Sequence, residues 1–326
     1  MLERLKELLT QRDIASKELL PIKEGDGGAY LFSVDNKYVV KYSCLPKLDF
    51  MTRTNHQREF DFYKVCSGKS VDFIPEIIFQ DATDDEMIIV MKKYTPIKAG
   101  EWDENLLKQA MELCARINAI DPADFKWAYQ EKEERSKIVR YARDGTPIYE
   151  PYPLSLSYRN WIALQEKFPE HIDAGLLKEM YDSFDETDSY AGKPDIPETL
   201  CHGDWHPNNC LRDGDQLIVC DWEGLCMGRG VDSVTWFCCV GAKMGININR
   251  DKLIEKYCGA LFKYANIEVD ANDFYKYIAA NEFTQFFRFG TANVFIQDNY
   301  FQSADIDGVL NSYNTMVMSY TFLQHF

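Results

Sequence analysis

The spacing of apolar positions divides this chain into a mixed first third and a helical remainder. At the start, MLERLKELLTQRDI sets leucines among Glu3, Arg4, Lys6 and Glu7, the pattern of an amphipathic helix. Ala29–Val34 and Tyr38–Tyr42 are short β-prone runs around Asp35-Asn36, which predicts a hairpin. Thr54–Cys66 fits a helix with Phe60, Phe62 and Tyr63 on its apolar face. Ile74–Gln80 and Met87–Met91 are two further strands around Thr83-Asp84-Asp85. From Thr95 onward helices dominate. Glu104–Ile120 places Leu106, Leu107, Ala110, Leu113, Cys114 and Ile117 at helical spacing and stops at Asp121-Pro122. Two more short strands frame Asp213-Gly214-Asp215, and the second, Leu217–Cys220, ends directly on Asp221. The pattern therefore predicts an α+β chain with a small β-rich lobe over residues 1–93 and a larger, mainly helical lobe over 94–326.

Composition narrows the class. The 326 residues are 46% hydrophobic and 27% charged, an ordinary globular balance with room for a sizeable core. No apolar run approaches the length of a membrane span, and the charged first helix does not read as a secretion signal. Ten cysteines include no CxxC element, so reduced, buried thiols are expected rather than a disulfide framework, in keeping with a cytoplasmic protein. Lysine and arginine total 36 against 52 aspartates and glutamates, a net charge of −16. Such a surface repels nucleic acid and anionic lipid and tolerates cationic ligands.

The chemistry concentrates in residues 202–223, HGDWHPNNCLRDGDQLIVCDWE. Asp204 follows His202 by two positions, Asn209 follows Asp204 by five, and Asp221 stands beyond a hairpin that brings separated residues together. Phosphoryl transfer needs one carboxylate to orient the attacking hydroxyl, hard oxygen ligands for Mg²⁺ and a cation on the phosphates. Asp204 suits the first role, and Asn209 and Asp221 the second. Two rival readings remain at this point. His202 and His206, four apart, suggest a zinc site, although zinc leaves Asn209 and Asp221 without a purpose. Asp and Asn are also common turn residues.

This stretch resembles the aminoglycoside phosphotransferase and choline kinase group, whose pattern is HxDxxxxN, then a strand, then Asp-Trp or Asp-Phe. The resemblance implies a two-lobed, protein kinase-like fold, ATP and Mg²⁺ as cofactors, and a small-molecule hydroxyl as acceptor. Residue by residue, it puts Asp204 on the catalytic aspartate, Asn209 and Asp221 on the metal ligands, and His202 on a histidine that braces the loop. Asp232 corresponds to an aspartate that anchors it. The chain departs from the pattern with Asn208 where glycine is frequent, with Arg229-Gly230 where a proline step is common, and with Asn118 where histidine is usual.

A kinase-like fold further requires a strand lysine paired with a helix glutamate. Lys41 at the end of KYVVK and Glu59 in QREFDFY meet that requirement. Gly25, Gly27 and Gly28 in EGDGGAYLF permit close backbone approach to phosphates. Met91-Lys92-Lys93-Tyr94 becomes the hinge, with backbone groups at Lys92 and Tyr94 facing adenine. The aromatic run after Glu282, with Phe283, Phe286 and Phe287, reads as core or as the wall of a pocket for a cationic acceptor. The sequence leaves the acceptor open, and it leaves a catalytically silent nucleotide-binding protein on the same fold as the alternative to an enzyme.

Overall fold

A computed structural model describes residues 2–12, 14, 18–22, 28–69, 71–125, 140–141, 147–148, 154–192, 196–291, 295–296, 300–301 and 306–325. Two compact units divide the chain. The first comprises Met1–Lys126 and Thr199–Ala265, and the second Trp127–Glu198 and Asn266–Phe326. The expected lobe boundary at residue 93 falls inside the first unit.

The first unit opens with α1 (Leu2–Gln11), which buries Leu5 and Leu9. Strands β1 (Leu19–Pro21), β2 (Tyr30–Val34), β3 (Tyr38–Cys44), β4 (Ile77–Ala82) and β5 (Glu86–Lys92) form one antiparallel sheet in the order β1-β2-β3-β5-β4. The β2–β3 turn takes left-handed backbone at Asp35 (φ 48°) and Asn36 (φ 55°), which Asp and Asn tolerate and a tight hairpin demands. Leu5, Leu9 and Ile14 pack on Phe32, Val34, Val40 and Val90, so one face of the sheet is covered by the opening helix. Helix α2 (Phe50–Cys66) starts at Asp49, whose side chain accepts from the Thr52 N–H at 3.0 Å. That cap starts the helix four residues before the sequence pattern does. Beyond β6 (Thr95–Pro96), α3 (Glu104–Asn118) is capped in the same way by Asp103.

In the second unit, β7 (Arg140–Tyr141) and β8 (Pro147–Ile148) pair antiparallel, and α4 (Leu154–Lys167), α5 (Ala174–Asp182) and α6 (Phe184–Gly192) follow. The chain then re-enters the first unit with β9 (Thr199–Cys201) and the hairpin β10 (Cys210–Asp213) and β11 (Gln216–Val219). After these come β12 (Cys226–Gly228), α7 (Gly230–Lys243) and α8 (Arg250–Ala265). β12 pairs with β9, and β10 pairs with both β11 and β6.

The second unit closes with α9 (Ala271–Phe289), the short pair β13 (Phe295–Ile296) and β14 (Tyr300–Phe301), and α10 (Ile306–Leu323). Its core joins Trp161, Phe184, Phe283, Phe287 and Met316, all fully buried. Phe283 and Phe287 are thus core, and the Glu282 carboxylate accepts from the Ser319 hydroxyl at 3.1 Å. No helix among the described residues is long and apolar enough to cross a membrane.

Candidate active site

Strand β3 points Lys41 at the Glu59 carboxylate of α2, with Nζ to Oε2 at 2.6 Å. The Lys41 side chain is 12% exposed and that of Glu59 is 2% exposed, so water screens this pair little. Lys41 also reaches Glu223 at 2.6 Å and Asp221 at 3.5 Å. Burial opposes the ammonium charge, but Glu59, Glu223 and Asp221 outweigh it and hold the Lys41 pKa far above its ordinary value. Glu59 is fixed from two further sides, accepting from the Tyr63 hydroxyl and the Trp222 N–H, each at 3.3 Å.

The catalytic-type loop between β9 and β10 is set by buried histidine and tryptophan rings. His202 Nδ1 accepts from the Asp204 N–H at 3.3 Å, which leaves Nε2 as the donor to the Cys220 carbonyl at 3.0 Å. Both ring nitrogens are occupied, and burial first of all lowers the His202 pKa to about 4. Trp222 stacks on Phe62 at 3.9 Å and lies 4.6 Å from the His202 ring. These contacts tie α2, the loop and the segment after β11 together. Gly203 and Gly224 make the tightest approach. A Cβ on Gly203 would lie 1.7 Å from the Gly224 carbonyl oxygen, and Gly203 itself sits at φ +82°.

Asp204 is held on both oxygens. The Trp236 indole N–H of α7 donates to Oδ1 at 2.9 Å, and His206 Nε2 lies 3.2 Å from Oδ2. The His206 hydrogen bond, with help from Trp236 and against partial burial, keeps the Asp204 pKa below its usual value. Asn209, nearly buried, donates its amide N–H to the Asp204 carbonyl at 2.8 Å. Asp221 stands at φ 66°, ψ 61°, a left-handed conformation that costs a non-glycine residue about 1 kcal/mol or more. That backbone turns the chain directly after β11. Asp204 and Asp221, with Asn55, Glu223 and Gly224, line one cavity of about 220 Å³.

Of the remaining expected residues, Gly28 has φ +73°, as a glycine position should. Gly25 and Gly27 lie outside the described residues. The Lys92 ammonium is 2.8 Å from Asp213 and sits over the Tyr94 ring, whose hydroxyl accepts from the Glu76 N–H. The N–H groups of Lys92 and Lys93 donate to the Glu76 and Lys37 carbonyls. The Lys92 and Tyr94 side chains and these two N–H groups are therefore engaged within the fold.

Two departures from the family pattern, Asn118 and Gly230, meet at Tyr257. Asn118 donates to the Leu200 carbonyl and accepts from the Tyr257 hydroxyl at 2.6 Å, while a Cβ on Gly230 would lie 1.9 Å from that hydroxyl.

Sequence reasoning missed several residues. Glu223 joins Glu59 and Asp221 in a cluster of three carboxylates able to hold a cation. The set is all oxygen and contains neither His202 nor His206, which suits magnesium rather than zinc. Burial raises the Glu223 pKa to about 7 against the pull of Lys41. His56 stands 3.3 Å from Glu223, and the Arg58 guanidinium donates to the Glu223 backbone carbonyl. The signal for Glu223 was its place directly after Asp221-Trp222. Trp236 carried none, because α7 brings it to Asp204 from 32 residues away.

The sequence profile of the phosphotransferase enzyme family matches residues 29–233, and the chain belongs to that family. No curated protein matches it significantly. Solved structures align over nearly the whole chain at low identity. A gentamicin complex of APH(2")-IIa shares 14% identity over 96% of this chain and 95% of that one, with a TM-score of 0.52. An ethanolamine kinase from Plasmodium vivax shares 13% over 96% and 84%, at 0.53. The AMP-bound spectinomycin phosphotransferase APH(9)-Ia shares 15% over 97% and 94%, at 0.52. The fold is therefore that of the kinase-like phosphotransferases, with a small antiparallel sheet followed by a mostly helical remainder.

Proposed function

We propose that the protein transfers the γ-phosphoryl group of ATP to a hydroxyl of a small molecule. The observation that carries this reading is the convergence of Asp204 and Asp221 on one cavity, beside a buried lysine already paired to Glu59. Asp204, its pKa held below the usual value, is ionised at neutral pH and would orient an acceptor hydroxyl and take its proton in place of its present contact with His206. Lys41, held by Glu59, would exchange Glu223 and Asp221 for nucleotide phosphates. Asn209 and Asp221 would hold Mg²⁺, which when bound neutralises charge on the phosphates. Gly27 and Gly28 would approach those phosphates by backbone, and the hinge at Lys92–Tyr94 would take the base. In this reading residues 1–93 are the nucleotide lobe and residues 94–326 the catalytic and acceptor lobe.

The acceptor class is an amine-bearing alcohol. The net charge of −16 favours a cation, and the half-exposed Trp236 ring lies beside Asp204, where an ammonium group would find a π-face. Ten free thiols fit a reducing compartment, the cytoplasm.

The test is ADP release over a panel of aminoglycosides and hydroxylated amines with Mg²⁺. Asp204→Asn should lower kcat by roughly 10²–10⁴-fold while leaving nucleotide affinity nearly unchanged. Equal turnover by wild type and variant across the panel would leave the silent nucleotide-binding reading in its place.

A further inference from the structure

Away from the catalytic loop, the first unit contains a larger cavity of about 580 Å³ between the opening turns of α3 and α8. We propose that it binds a small organic phosphate, at a site separate from that for the nucleotide.

Three lysines, Lys108, Lys252 and Lys256, line this cavity in a chain whose net charge is −16. Lys108 is 3.8 Å from Glu112, whereas Lys252 and Lys256 have no ion-pair partner among the described residues. The latter two stand four apart on α8, so one helical face presents both cations to the same ligand group. Both helices begin at the cavity, where their dipoles add positive potential. The Asn249 side chain accepts from the Lys252 N–H at 3.1 Å, and Asp103 caps α3. Asp103 is therefore committed to its helix, and Glu104 is the other carboxylate on the wall.

Trp102 also lines the cavity and is 7% exposed. Together with Leu107 and Leu253, the ring supplies an apolar wall. The chemistry that fits is a phosphate for the paired lysines, carried on a small ring or chain that covers Trp102. Phosphate is preferred to carboxylate because two cations at i,i+4 match a dianion.

Phenyl phosphate is the probe, titrated against the full chain saturated with a non-hydrolysable ATP analogue and followed by tryptophan emission and calorimetry. Saturable binding of one molecule per chain is expected below about 10 mM, within the range of weak specific ligands. The double variant Lys252→Ala/Lys256→Ala should raise Kd at least about tenfold. Both lysines are exposed, so this variant keeps its fold. Trp102→Phe should abolish most of the emission change while calorimetric binding persists. The proposal is overturned by no saturable binding in that range, by binding that appears only when the ATP analogue is left out, or by equal affinity in the lysine variant.

Discussion

At the residue scale the site is a contest for one lysine. Lys41 has three carboxylates around it, and Glu223 and Glu59 both reach it at 2.6 Å. The sequence points to the Lys41–Glu59 pairing through the family resemblance, which asks for a strand lysine and a helix glutamate. It does not show Glu223 as a competitor, since only the turn after β11 brings that residue back. Two titrations oppose each other here. Glu223 has its folded pKa raised from 4.5 to about 7, so its contribution to stability is present below pH 4.5 and lost as pH rises through 7. His202 has its folded pKa lowered from 6.5 to about 4, so its contribution is present above pH 6.5 and lost as pH falls through 4. At full burial the histidine term is worth roughly 3 kcal/mol. Thermal unfolding of Glu223→Gln between pH 4 and 7 should therefore show a steeper gain in Tm with pH than wild type. His202→Gln should show a shallower or inverted slope. Parallel curves for all three proteins would remove the assignment.

At the element scale, the β10–β11 hairpin and the segments flanking it act as one block, joined where Gly203 meets Gly224 and where Trp222 stacks on Phe62 and packs against the tilted His202 ring. Gly203→Ala forces a Cβ to 1.7 Å from a backbone oxygen and also strains a left-handed position. It should cost about 3 kcal/mol or more and lower Tm by several degrees. Gly230→Ala drives a methyl group into the Tyr257 hydroxyl and Asn118. Its cost should shrink in the double variant with Tyr257→Phe, and a non-additive cycle in chemical denaturation would register that coupling. From the sequence, Arg229-Gly230 and Asn118 read as separate departures from a pattern. The fold shows Asn118 and Gly230 as a single packing solution, because α3, α7 and α8 deliver Asn118, Gly230 and Tyr257 to one place.

At the scale of the whole molecule, the first unit holds the candidate site and the second a core of its own. Phe287→Ala, at a fully buried position in that second core, should cost about 3–5 kcal/mol, measurable by urea unfolding. The thiols grade by burial: Cys239 is exposed, Cys44, Cys220, Cys226 and Cys258 are partly buried, and Cys66, Cys114, Cys201, Cys210 and Cys238 are buried with pKa values pushed up by desolvation. A disulfide reagent added to the native chain should show one fast thiol, and Cys239→Ser should abolish that phase. The sequence by itself determined the kinds of element and the family motif, because periodicity and short-range spacing are written in neighbouring residues, and through that motif's resemblance it pointed to Lys41 and Glu59. Only the tertiary structure decided what surrounds Lys41, that Trp236 and His206 hold the two oxygens of Asp204, and that Lys252 and Lys256 face a cavity. Those arrangements join residues from distant segments, and their physics depends on burial and distance, which no local pattern specifies.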